Sequence, residues 1–291
     1  RTEKMRPGVR KNPDNLFTFT VWAPFARKLE LIPEENAAKK SVIDLEDEGR
    51  RPETAGLLTD KKNGYWQKQI RDIQGGYLYS YLLDDSKKRP DPASSYQPYG
   101  VHGPSQVIDH SEYEWNDQEF KGIRKKDMII YELHVGTFTP RGDFRSVIER
   151  LDDLKYTGIN TLELMPVAQF AGDRNWGYDG VYPYAVQNSY GGPNCLKELV
   201  DECHRKDMAV MLDVVYNHLG PEGNYLSDFG PYFTDRYRSF WGDALNFDQA
   251  YSQQVRDFFI QNALYWYEYY HIDSLRLDAV HGIFDMSAVH F

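Results

Sequence analysis

The sequence predicts two structural parts, an all-β module followed by a parallel α/β sheet, because the period of its hydrophobic residues changes along the chain. Residues 16–22, 27–32, 65–70 and 77–83 alternate between apolar and polar side chains, as strands with one buried face do. After about residue 126, apolar runs of strand length instead alternate with segments of helical period. Strands separated by helices are typical of a parallel sheet with helices on its faces.

Two stretches of the first part lack a clear period. Residues 33–63 are polar, with Val42, Ile43 and Leu45 among the few apolar side chains, which indicates one weak strand and long loops. Residues 89–109, which we call the strap, are rich in Pro, Gly and Ser. This composition predicts an ordered connection without regular secondary structure.

The second part is predicted to contain four strands and three helices. The strands are expected at 128–135, 160–167, 209–215 and 273–280, and the helices at 144–157, 196–206 and 252–270. Two connections, 168–192 and 216–251, are much longer than the ~2–6 residues usual for such links. Both leave the carboxyl ends of strands, where folds of this kind place their chemistry.

Charge and composition exclude several classes of function. The 291 residues include 34 Lys and Arg against 44 Asp and Glu, and the net charge of −10 repels nucleic acid and anionic membranes. We therefore expect neither nucleic acid nor membrane as a partner. Cys195 and Cys203 fall in one predicted helix, roughly 12 Å apart, which is too far for a disulfide. Reduced thiols, and no secretory signal within residues 1–10, predict a cytoplasmic location.

Charged residues lie on the predicted strands where a barrel interior would be apolar. Asp213 and Asn217 share one face by the period of two, and His218 follows them. Arg276 and Asp278 share a face of the fourth strand, and the permanent cation favours the ionised carboxylate, which suits nucleophilic attack. A structural Arg–Asp network that closes a barrel explains the same spacing equally well.

Two segments, DVVYNH (213–218) and LRLDAVH (275–281), resemble the first and second short motifs of the α-amylase superfamily of glycoside hydrolases. Further segments agree with it: YELHVGTFT (131–139), ELMPV (163–167), NWGYDGVYPYA (175–185), WGDALNFD (241–248) and PDPASSYQPYGVHGPSQV (90–107). The resemblance covers nearly the whole chain. It implies an N-terminal Ig-like β-sandwich of carbohydrate-binding-module type over 1–110. The first half of a (β/α)8 TIM barrel, the glycoside hydrolase catalytic domain, would follow over 111–291.

The resemblance also implies roles for individual residues. Asp278 would be the catalytic nucleophile and Arg276 its electrostatic partner. Asp213, Asn217 and His218 would shape the sugar subsite beside the scissile bond.

Four more residues match positions that contact substrate in the superfamily. Trp176, Tyr178 and Asp179 would supply an aromatic platform and a carboxylate on the non-reducing side. His281 takes the place of a substrate-contacting Lys or His.

The implied reaction is retaining hydrolysis of α-1,4-glucosidic bonds in α-glucan or malto-oligosaccharide, with release of trehalose from malto-oligosyltrehalose. It needs two carboxyl groups about 5–5.5 Å apart. The acid/base Glu of the superfamily lies on the fifth barrel strand, so we expect the sequence to be part of a longer enzyme and this part alone to be nearly inactive. Glu132 and Glu163 do not replace that acid, because each lies inside an early strand motif. No metal or cofactor is expected.

Two alternatives remain at this point. Glycogen branching enzymes are close relatives that transfer the glycosyl group to a glucan 6-hydroxyl, but they usually carry Trp and Pro where this sequence has Val214 to Tyr216. A non-catalytic glucan-binding fragment is the other alternative. Aromatic residues make up 15% of the chain, and we expect those in the two long connections to pack on sugar faces. They are Trp176, Tyr178, Tyr182, Tyr184, Tyr190, Tyr225, Tyr232 and Trp241.

Overall fold

The computed structural model describes residues 5–34, 56–60 and 62–291, and these form two antiparallel sheets, a parallel sheet and two hairpins. The strands are β1 (Gly8–Asn12), β2 (Leu16–Trp22), β3 (Leu29–Glu34), β4 (Gly56–Leu57), β5 (Thr59–Asp60), β6 (Tyr65–Arg71), β7 (Leu78–Leu83), β8 (Lys87–Arg89), β9 (Ser105–Gln106), β10 (Ile130–Leu133), β11 (Thr161–Leu164), β12 (Ala168–Gln169), β13 (Tyr182–Val186), β14 (Ala209–Val214), β15 (Phe233–Ser239), β16 (Gly242–Leu245) and β17 (Ser274–Leu277). The helices are α1 (Val135–Phe138), α2 (Phe144–Ile148), α3 (Leu151–Tyr156), α4 (Gly192–Arg205), α5 (Leu226–Phe229) and α6 (Ser252–Tyr270).

The alternating segments form antiparallel strands, as predicted. One sheet has the order β1-β2-β6-β5, and the other has the order β4-β3-β7-β8 with β9 also paired to β7. Phe19 of the first sheet meets Tyr79 of the second edge-on, with ring centroids 5.0 Å apart, and both side chains are buried. The apolar faces of the two sheets therefore share a core. The predicted weak strand around Val42 lies outside the described residues.

The parallel sheet has its strands in chain order, β10-β11-β14-β17. This confirms the predicted succession of strands, and α4 and α6 occupy the places of two predicted helices. The predicted helix 144–157 is divided into α2 and α3 at Glu149 and Arg150. Both cysteines lie in α4 as free thiols. Among the described residues, no helix has the length and apolar character needed to cross a membrane.

The expectation that the tyrosines of the long connections pack on sugars is wrong for four of them. The two connections fold back as the hairpins β12–β13 and β15–β16. Their buried rings pack against aromatic side chains of other elements, as Tyr184 does against Phe258 and Tyr190 against Phe144. Tyr182, Tyr184, Tyr190 and Tyr232 are each at most 3% exposed. Tyr232, for example, meets Trp22 of β2 edge-on at 5.1 Å and thereby packs the second hairpin against the antiparallel module. A long connection must bury its own apolar surface, and these rings do so.

A buried histidine fastens the segment after the strap to the parallel sheet. His204 of α4 pairs through Nδ1 with Asp117 at 3.0 Å and through Nε2 with Asp273 at 2.8 Å, and His271 also bonds Asp117, at 2.6 Å. Phe120 stacks on the His204 ring at 4.3 Å. Burial by itself lowers the pKa of His204, but its bonds to the two carboxylates outweigh burial and raise it.

We predict that His204→Gln destabilises the protein by roughly 1–3 kcal/mol near pH 6 and by less near pH 8. The folded pKa of His204 lies above its ordinary value of 6.5, so its stabilising contribution is complete below that value and is lost as the pH rises through the folded pKa. Urea unfolding at the two pH values measures the difference. The exposed His290→Gln serves as control, and an equal loss at both pH values would contradict the prediction.

Candidate functional site

The carboxyl ends of β14 and β17 bring a cation between two carboxylates. Asp213 and Arg276 are register partners in these adjacent parallel strands. Arg276 Nη1 donates to Asp213 Oδ2 at 2.6 Å and to Asp278 Oδ1 at 3.0 Å. Asp278 directly follows β17, and its N–H continues the ladder to the Val214 carbonyl at 3.0 Å. The strand periodicity therefore correctly places these three side chains together.

Asp213 lies at the buried base of this group. Its Oδ2 also accepts a hydrogen bond from the Tyr178 hydroxyl at 2.8 Å, and the residue is 1% exposed. Burial raises the pKa of Asp213 to about 6, while the bonds from Tyr178 and Arg276 act in the opposite direction. Its Oδ1 is buried and has no hydrogen-bond partner among the described residues. This oxygen is an unsatisfied acceptor at the floor of the site.

Asn217 and His218 follow β14 and complete the group. Asn217 Nδ2 donates to the Asp278 carbonyl at 2.8 Å and to Asp278 Oδ2 at 3.0 Å. His218 donates from Nε2 to the Tyr178 carbonyl at 2.7 Å, and burial lowers its pKa. Each oxygen of the Asp278 carboxylate therefore has its own donor, Arg276 on one side and Asn217 on the other.

Trp241, which the sequence predicts only as one of the sugar-packing rings of the second long connection, also lies at the site. Its ring stacks on His218 with centroids 4.3 Å apart and planes within 5°, and it remains 46% exposed. It lies just beyond the end of β15, in the turn before β16. The segment WGDALNFD gave a signal, but only the folding of the hairpin shows that the ring reaches the site.

An open cleft of about 700 Å³, which we call the site cleft, lies beside this group. It is lined by His134, Thr137, Asn175, Trp176, Tyr178 and Asp179. Trp176 is 74% exposed, as an aromatic platform requires.

The wall of the site cleft is held by Asn175, whose Nδ2 donates to Asp179 Oδ2 at 2.7 Å and whose Oδ1 accepts the Gly177 N–H at 2.8 Å. Gly177 has φ of 101°, and a Cβ there would lie 2.2 Å from the Pro166 carbonyl oxygen, so this turn requires glycine. His281, in contrast, is exposed after β17, and the structure shows no hydrogen bond between it and the other site residues in the described part of the chain.

Three carboxylates approach one another beneath the site. One oxygen from each carboxylate lies within 4.8 Å of the others in the trio Glu132, Glu163 and Asp213. Among the described residues, this trio has the spacing that a bound cation would need. Burial raises the pKa of Glu163, the neighbouring Glu132 raises it further, and Arg276 opposes both. Arg276 already supplies positive charge to Asp213, so the trio does not by itself indicate a metal.

The sequence model of the family 'Alpha amylase, catalytic domain' matches residues 106–261, which is more than half of the chain. The chain belongs to the alpha-amylase family. Over 283 residues it is 46% identical to the malto-oligosyltrehalose trehalohydrolase of Saccharolobus solfataricus, covering 97% of this chain and 47% of that protein. It is 34% identical to the 1,4-alpha-glucan branching enzyme GlgB of Bacillus caldolyticus, covering 90% of this chain and 41% of that protein.

A solved structure shares the fold of this chain. A pullulanase from Anoxybacillus sp. LM18-11, crystallised with maltotetraose, superposes with a TM-score of 0.78 at 26% identity, over 95% of this chain and 45% of that one. The chain spans about half the length of the curated relatives it matches.

We predict that Tyr178→Phe raises the pKa of Asp213 further, because the carboxylate loses a hydrogen-bond donor while its burial persists. Titration of the Asp213 side-chain carboxyl by carbon-13 NMR, with Asp213→Asn to assign the signal, measures the change. The largely exposed Tyr156 provides the matched control Tyr156→Phe. An unchanged or lowered pKa would show that the hydroxyl does not stabilise the ionised form.

Proposed function

We propose that the protein containing this chain is a retaining glycoside hydrolase that acts on α-1,4-glucans and releases trehalose from malto-oligosyltrehalose, with Asp278 as nucleophile. The observation that carries the proposal is the Arg276 guanidinium held between Asp213 and Asp278 at the ends of adjacent parallel strands. The Arg276 guanidinium donates to Asp278 Oδ1 and thereby orients this carboxylate for attack.

The chemistry follows from the donors on the Asp278 carboxylate. One of its oxygens forms the bond to the anomeric carbon while the bond from that carbon to the leaving glycosidic oxygen breaks, and the leaving oxygen takes a proton from a general acid. Arg276 and Asn217 hold the carboxylate so that it does not rotate away during attack. Water then releases the sugar with retained configuration.

The buried Asp213 supports binding of a sugar at this point. Its partnerless Oδ1 is positioned to accept a hydrogen bond from a sugar hydroxyl, and an unpaired buried acceptor is costly until such a donor arrives. Trp176 and Asp179 line the site cleft, and Asp179 also lines an adjoining pocket together with His218. We propose that they contact the same and the neighbouring sugar units, with His281 nearer the exposed side.

We further propose that residues 1–110 form an Ig-like β-sandwich of carbohydrate-binding-module type, and that residues 111–291 are the first half of a (β/α)8 barrel. The edge-on contact of Phe19 with Tyr79 between the two antiparallel sheets supports the first assignment. The chain-order parallel sheet β10-β11-β14-β17 supports the second. In this arrangement the general acid is a Glu contributed by a further βα unit of the whole protein.

Transfer to a glucan 6-hydroxyl, as the name of the branching-enzyme relative describes, is the second candidate function. The relatives named as trehalohydrolases are more similar, at 37–46% against 34% identity, and this favours the hydrolase. Incubating the whole protein with malto-oligosyltrehalose and with amylose separates the two. Free trehalose supports the hydrolase, whereas new 1,6 branches without trehalose would overturn it in favour of transfer.

We predict that Asp278→Asn in the whole protein lowers turnover roughly a thousandfold or more while malto-oligosaccharide affinity stays within about threefold. The amide cannot attack the anomeric carbon but has nearly the same size. Initial rates of trehalose release and calorimetric binding measure the two effects.

Asp207→Asn is the matched control, because Asp207 is largely exposed and Asn tolerates its left-handed backbone at φ of 54°. Turnover close to that of the unsubstituted protein in a pure preparation of the Asp278 variant would refute the nucleophile assignment.

A further inference from the structure

A second cleft, of about 520 Å³, opens between the strap and the first long connection. Tyr99 and His102 lie on its strap side, and Gly172, Asn188 and Ser189 lie on the opposite side. We call it the strap cleft. Asp173 lines both the strap cleft and the site cleft, so the two openings adjoin at this residue.

The strap side of this cleft is rigid although it lacks regular secondary structure. Gln97 is fully buried, and its Nε2 donates to the carbonyls of Gly100 and Gly103 at 3.1 and 2.9 Å. Its Oε1 accepts from Ser105 Oγ at 2.7 Å. The Val101 carbonyl in addition accepts the Tyr182 hydroxyl at 2.7 Å. A single buried amide therefore fixes the backbone that carries Tyr99 and His102.

The opposite side is fixed in the same manner by a second buried glutamine. Gln187 is also fully buried, and its Nε2 donates to the Gly172 carbonyl at 3.0 Å and to Ser189 Oγ at 2.9 Å. Asn188 crosses between the sides, since its Nδ2 donates to the Pro98 carbonyl at 3.3 Å. A cleft whose sides are set before binding loses little entropy when a ligand enters.

The exposed side chains of the strap cleft are aromatic, polar and acidic. The Tyr99 ring is 50% exposed, and the exposed His102 ring is held by Nδ1 against the Tyr225 hydroxyl at 2.6 Å. The carboxylates of Asp173 and Glu222 lie at the rim, and the lining contains no Lys or Arg. This combination does not favour phosphate or other anions. An aromatic face beside amide and carboxylate hydrogen-bonding groups matches a neutral polyhydroxylated ring.

We propose that the strap cleft binds a glucose unit of the same α-glucan chain that enters the site cleft, several units away from the scissile bond. The chain passes over Asp173, and Tyr99 supplies the stacking face at the far end. This assignment rests on the proposed function, which makes α-glucan the ligand. Long chains then bind more tightly than short ones because they occupy both clefts at once.

The test compares maltotriose with maltoheptaose by isothermal titration calorimetry, using the whole protein with Asp278→Asn so that the probes are not cut. Adding Tyr99→Ala weakens maltoheptaose binding by about five- to tenfold, as expected for loss of one stacked ring. Maltotriose binding stays within about twofold, because a short chain fills the site cleft alone. Tyr99→Phe restores maltoheptaose binding, and Tyr156→Ala, which lines neither cleft, leaves both affinities unchanged.

The remaining outcomes overturn the inference in different ways. Unchanged maltoheptaose affinity in the Tyr99→Ala protein removes the strap cleft from the glucan path and leaves the proposed function intact. Equal weakening of maltotriose and maltoheptaose shows that Tyr99 acts on the site cleft or the fold rather than through a separate subsite. Failure of the protein with intact Tyr99 to bind either probe overturns the proposed function together with the inference.

Discussion

The Arg276 guanidinium between Asp213 and Asp278 organises the functional end of the parallel sheet, and it depends on the register between β14 and β17. Asp213 faces Arg276 directly in that register, and Asp278 follows two residues later on the same side. A shift of one residue would turn Arg276 to the other face of the sheet. Asp213 would then lose the cation that compensates its charge, and a buried uncompensated carboxylate is strongly destabilising. The strand pairing and the charge arrangement therefore support each other.

A close backbone contact positions the segments that carry Tyr178 and His218. The Asp179 carbonyl passes so close to Gly220 that a Cβ there would lie 2.1 Å from it. This close approach places the segment that carries Tyr178 against the segment that carries His218, and their bond at 2.7 Å follows from it. The buried tyrosines of the long connections pack these connections against the rest of the fold, as Tyr232 does against Trp22 and Tyr184 against Phe258. Aromatic residues thus serve the site in two ways, as a foundation below it and as exposed rings beside it.

The strap and the segment after it connect the antiparallel module to the parallel sheet through polar groups. Gln97 satisfies the carbonyls of an irregular loop, and His204 joins Asp117 to Asp273 across elements distant in sequence. Irregular backbone has no ladder partners, so its buried polar groups need side-chain donors and acceptors. The bonds of Gln97, together with those of Gln187 on the opposite side, hold the two sides of the strap cleft.

The sequence by itself determined the succession of strands and helices, because local hydrophobic period reports which face of each element is buried. It also determined that Arg276 and Asp278 lie side by side, since a strand has a period of two. Only the tertiary structure decided which aromatic rings are buried. Tyr184 and Trp176 are both aromatic and lie in the same long connection. In the folded hairpin Tyr184 is buried, whereas Trp176 remains exposed.

The stacking of Trp241 on His218, the approach of Glu132 to Glu163 and the two sides of the strap cleft were likewise decided by the tertiary structure. Each joins residues far apart in the sequence, and no local pattern encodes the distance between them.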